Sequence, residues 1–177
     1  MKIKLLMAGL LGLMLATTFA QKREFMNAER SLKDYDESKG GKIALLVTKA
    51  NASLDDAKTA IDKAADNDKT ANLPETYALK GAIYSALAVR DTVPATSAPL
   101  LSTAQDAIKK AKELDTKNEY KALIDEANLN VAQYNSTLGV KDYQAGKFDL
   151  AYKAFDTYRQ IYPEDTSAIY YTALAAS

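Results

Sequence analysis

The chain of 177 residues has no cysteine, no histidine and no tryptophan, and it has only four prolines and seven glycines. Without cysteine there is no disulfide framework, so stability rests on packing alone. The absence of histidine and cysteine also removes the commonest general base, the thiolate nucleophile and the best zinc ligands. Neither sign of charge is in excess, with 23 basic and 23 acidic residues. That balance argues against nucleic acid or an anionic membrane surface as a partner.

What is present begins with an N-terminal segment to be set apart. Lys2 and Lys4 precede the uncharged run Leu5–Ala16, and Thr18-Phe19-Ala20 ends it with small residues. This is the pattern of a secretory signal peptide over 1–20, with cleavage near Ala20. The other reading, a membrane anchor, needs about 20 apolar residues, and a bacterial lipid anchor needs a cysteine. The expected product is an exported protein, periplasmic or secreted, with no membrane anchor in the mature chain 21–177.

Beyond residue 20 the apolar residues recur at helical spacing, and strand alternation is nearly absent. The four prolines, Pro74, Pro94, Pro99 and Pro163, all read as boundaries, as does Gly40-Gly41. A first helix is predicted over 23–37. A second starts near Lys42 with the stripe Ile43, Leu46, Val47, Ala50, Leu54, Ala57, Ile61 and Ala64. Ser53 with Asp56 allows a break near Asn51. A third is predicted over 76–89, a loop over 91–98, and a fourth helix with Leu101, Ala104, Ile108, Ala111 and Leu114 on one side. Residues 119–145, 148–162 and 166–176 complete the set.

The most informative stretch runs from Gly139 to Ala173. Small residues, Gly139 and Ala151, stand where two helix backbones would press together, and Gly146-Lys147 forms the turn between them. Phe148, Phe155 and Tyr158 fill the gap, Pro163 stops the second helix, and Ala173 follows Gly139 by 34 residues. Such a period marks a tetratricopeptide repeat. These residues resemble a tetratricopeptide helix–turn–helix unit over 132–165, followed by an incomplete repeat over 166–176. Tyr77, Gly81 and Tyr84, with Ala104, Ile108 and Ala111, resemble a second, degenerate unit whose loop is long and which lacks the terminal proline. The resemblance implies an all-α fold of antiparallel helix pairs stacked as a short solenoid, as in divergent repeat proteins of the bacterial cell envelope. A plain helical bundle is the alternative.

No catalytic constellation stands out. Asp55-Asp56 and Asp125-Glu126 are adjacent on helices and point apart, whereas paired-carboxylate catalysis needs facing groups. Lys39-Gly40-Gly41-Lys42 lacks a phosphate-loop pattern. Asn51 and Asn135 fit the glycosylation pattern only formally. The basic cluster Lys109-Lys110-Ala111-Lys112 reads as a solvated helix face. The chain is therefore expected to be no enzyme, with no metal and no cofactor.

The resemblance implies a concave groove lined by the first helix of each pair. Its candidates are Gln133, Ser136, Val140, Tyr143 and Gln144, with Glu75, Ala78, Ala82 and Ser85 in the earlier unit and Ser167, Tyr170 and Tyr171 in the last helix. Eight of the 11 tyrosines lie between Tyr120 and Tyr171. Tyr134, Tyr152 and Tyr158 read as core, and Tyr143, Tyr170 and Tyr171 as contact residues. The reading is a non-catalytic scaffold that binds a protein or peptide segment. The alternative is a glycan or small-ligand module, although sugar platforms favour the missing tryptophan. The apolar helix 166–176 raises the prospect of self-association.

Overall fold

The computed structural model describes residues 23–176, so the predicted signal peptide lies outside the described residues. Seven helices and no strand occupy that range. They are α1 (23–38), α2 (Ala44–Ala65), α3 (Pro74–Arg90), α4 (Pro94–Leu114), α5 (Lys121–Gln144), α6 (Phe148–Ile161) and α7 (Thr166–Ala176).

Successive helices from α2 to α4 run antiparallel and touch. Arg90 at the end of α3 reaches the Asn51 carbonyl and Asp55 of α2, while Tyr84 reaches Asp62 further along. Pro94 opens α4 where its missing N–H is one of the unpaired first-turn groups anyway. Pro99 lies inside α4, not at a boundary, and the connection from α3 is only residues 91–93. The predicted loop over 91–98 is therefore too long. The Asp91 carboxylate accepts the Val93 N–H at 2.8 Å and tightens the turn enough for α4 to start early.

α2 continues unbroken through Asn51 and Ser53. Its first turns depart from the predicted buried stripe: Ile43 is 65% exposed, and Leu46 and Val47 are also exposed. The reason is length. α3 ends level with Asn51, so the residues of α2 before that point overhang their partner.

α3 and α5 are parallel neighbours. Tyr120 donates to Glu75 at 2.6 Å, and Asn130 donates to Ser85 at 3.1 Å. The residue beside Gly81 is Ala127, whose Cβ would lie 3.7 Å from an added Cβ. Gly81 and Gly139, matched by the repeat reading, each admit a side chain of the next helix: Gly81 admits Ile108 of α4, and Gly139 admits Phe155 of α6. α5, with 24 residues, packs on both α3 and α6.

The end of α5 is a Schellman turn. Gly146 sits at φ +71°, Lys147 N–H donates to the Asp142 carbonyl and Gly146 N–H to that of Tyr143. Ahead of α5, the buried Asp115 carboxylate accepts the N–H groups of Glu119 and Tyr120.

The main core joins α1 to α5 around Leu54, Ile61, Leu79, Ile83 and Val131. Ala104, Ile108, Ala111 and Tyr84 are buried in it, with Tyr77 at its margin. A smaller cluster of Ala151, Phe155 and Ala175, edged by Tyr143 and Tyr171, holds α6 to α5 and α7.

Candidate functional site

The earlier half of the predicted groove is closed. Ala78, Ala82 and Ser85 are 1%, 1% and 0% exposed, and Glu75 is engaged by Tyr120. The sequence reading assumed that α3 has a free face. In the structure α1 lays Ala28 and Leu32 into the same core, and Lys39 at its end pairs with Glu126 of α5 at 3.7 Å. The chain's own first helix and α5 take the places a ligand would need.

An open cleft of about 530 Å³ remains further along, between α5, the end of α6 and the start of α7. Leu129, Ala132, Gln133 and Ser136 form its α5 wall, and Tyr158, Tyr162 and Asp165 stand opposite. Tyr158 and Tyr162 meet edge to face at 6.3 Å. The Tyr158 hydroxyl donates to Asp165 at 2.7 Å, and Asp165 in turn accepts the Ser167 N–H at 2.8 Å to cap α7. This chain of contacts fixes the opening by tying the end of α6 to the first turn of α7.

The same hydrogen bond, helped by burial, pushes the Tyr158 phenol up to about 12. Asp165 is held below the usual carboxylate range by the bond from Tyr158 and by backbone N–H groups. At neutral pH the cleft therefore presents the protonated Tyr158 phenol and the ionised Asp165 carboxylate, with the Gln133 carboxamide, the Ser136 hydroxyl and Leu129. Those groups suit hydrogen bonding and apolar contact with an extended backbone. Gln133 also borders a second cleft of about 250 Å³ beside Pro94, Ser97 and Lys141, where Ser97 and Tyr134 hydrogen-bond at 2.8 Å.

Of the remaining candidates, Val140 and Gln144 are exposed on later turns of α5 and stand outside the cleft. Tyr143 meets Phe148 edge-on at 5.2 Å, Tyr171 stacks on Phe155 at 5.3 Å, and Tyr170 meets Tyr171 at 5.5 Å. Of these rings Phe155 is buried, Tyr143 and Tyr171 are partly buried against its cluster, and Phe148 and Tyr170 are exposed. Phe148 is 53% exposed rather than filling the gap between helices, because it begins α6 and only Phe155 reaches Gly139. Ala173 is exposed too; Ala168, Thr172 and Ala175 make the buried face of α7. Pro163 follows α6 directly after Tyr162, in an exposed turn.

Sequence reasoning missed Leu129, Tyr162 and Asp165. Leu129 was findable, since it lies one helical turn before Gln133 on the same side. Tyr162 and Asp165 depend on how α7 docks, which no local pattern encodes. Among the described residues no helix is long and apolar enough to cross a membrane, and no group of three or more acidic side chains could hold a metal ion. Comparison with protein-family models, with curated proteins and with solved structures gave no match.

Proposed function

We propose that this chain is an exported, non-catalytic interaction scaffold of the bacterial cell envelope, built from tetratricopeptide-like helix pairs. It binds an extended protein or peptide segment in the cleft between α5, α6 and α7. The observation that carries this reading is the meeting of Gln133 and Ser136 with Tyr158 and Tyr162 across one open cleft. Tyrosine supplies large contact area at low entropic cost and is enriched in binding surfaces. The pairing of α3 with both α4 and α5, and of α6 with both α5 and α7, supports a stacked arrangement.

Selection from a random peptide display library tests it. Enriched peptides should bind the intact protein and lose about tenfold or more affinity with Ser136→Arg, since a bulky charge then stands in the cleft. A control change on exposed Lys33 should leave binding unaltered. Equal binding by Ser136→Arg, or no enrichment at all, would remove this cleft from consideration.

A further inference from the structure

The basic cluster on α4, which reads as solvated helix in the sequence, borders a cleft in the structure. Lys109 and Lys112 stand one turn apart over an opening of about 360 Å³ between α4, α5 and α6. Gln105, Asn128, Gln160 and Thr157 share its lining, and no carboxylate does. Its floor is aliphatic, made of the buried Ile108 and Val131 with the half-buried Ile161.

Several lysines of this chain, which has equal numbers of acids and bases, are paired. Lys39, Lys58, Lys63, Lys80, Lys117 and Lys121 each have a carboxylate within ion-pair distance. Lys109 and Lys112 have none among the described residues, although Asp106 and Glu113 flank them on the same helix. The Asn128 amide, half-buried on α5, is likewise without a hydrogen-bond partner among the described residues. Gln160 donates one of its two amide N–H groups to Asp156 at 2.7 Å and keeps its carbonyl oxygen to accept.

We infer that this cleft binds a small anionic sugar, one acidic group on a hydroxyl-rich ring. The two ammonium groups would meet the anion, and the carboxamides would exchange hydrogen bonds with hydroxyls. The aliphatic floor would take the C–H face of the ring. The site is independent of the peptide cleft, which lies on other residues of α5 and α6.

The test is titration of the isotope-labelled full chain, followed by the side-chain amide resonances of Gln105, Asn128 and Gln160. Glucuronate and glucose 6-phosphate serve as probes, distinguishing a carboxylate from a phosphate as the acidic group. Neutral glucose and inorganic phosphate serve as controls. At least one anionic sugar should shift those resonances by about 10 mM, with both controls about tenfold weaker. The double variant Lys109→Gln/Lys112→Gln should weaken binding about tenfold, as expected for two partly exposed charge contacts. Both changes are on exposed side chains, so the fold should persist, and unchanged backbone resonances check it. Ser136→Arg should leave the titration unaltered. The inference is overturned if neither sugar shifts the amides, if either control binds as well, or if the double variant binds equally.

Discussion

The ring of Phe155 occupies the space that a side chain on Gly139 would need. A Cβ built there would lie 2.5 Å from Cε1, and Phe155 is 1% exposed, so the ring has nowhere to go. An alanine at 139 would gain about 1 kcal/mol of helix propensity. Overpacking of a closed core costs about 1–3 kcal/mol, and here it should win. Gly139→Ala is expected to lower stability in urea unfolding. Gly81→Ala should cost less, because its tight contact is a single Ile108 methylene at 2.9 Å. A Gly139→Ala protein as stable as the parent would mean that α5 and α6 do not meet this closely.

Thr76 is fully buried in the first turn of α3, and its hydroxyl has no hydrogen-bond partner among the described residues. Valine keeps the shape and removes the unsatisfied group. Thr76→Val should therefore stabilise the protein by about 1 kcal/mol, the typical cost of an orphaned buried hydroxyl. Thermal unfolding at a single pH checks the sign.

Asp62 ties α2 to α3, accepting from Tyr84 at 2.7 Å and Lys58 at 2.8 Å with Lys80 at 3.4 Å. Burial works to raise its pKa, but the bonds from Lys58 and Tyr84 outweigh it and the pKa is lowered. A carboxyl lowered in the folded state contributes stability that is present above its unfolded value and lost as pH falls through the folded one. Stability should thus decline below about pH 4, and Asp62→Asn should flatten that decline. Tyr84→Phe should cost about 1 kcal/mol at neutral pH. An unchanged acid limb in Asp62→Asn would show that other carboxylates control it.

At the alkaline end the sign reverses. Tyr120, through its bond to Glu75, and Tyr158, through its bond to Asp165, are both pushed from 10.0 up to about 12. A phenol raised on folding gives stability that is complete below about pH 10 and lost as pH rises toward 12. The double variant Tyr120→Phe/Tyr158→Phe should be less stable than the parent at neutral pH and lose less between pH 10 and 12. Parallel alkaline profiles for the two proteins would contradict these hydrogen bonds.

Much of the helix layout was legible in residue spacing. The period of Leu54, Ala57, Ile61 and Ala64 marks α2, Pro74 marks the start of α3, and Gly146 marks the turn before α6. Errors fell where local signals competed with neighbours. Pro99 reads as a boundary, yet the Asp91 turn and Pro94 start α4 ahead of it. Ile43 and Val47 belong to a helical stripe, but α3 stops short of them.

The sequence by itself determined the all-helical class, most of the turn positions and the small residues at close contacts. These are set by backbone propensity and by side-chain period within a few turns. Only the tertiary structure decided which faces stay open. α1 folds back over α3 and closes half of the predicted groove, and Asp165 pins α7 to Tyr158 and leaves a cleft beside Gln133 and Ser136. Both outcomes depend on contacts between residues far apart in the chain, which short-range periodicity does not record.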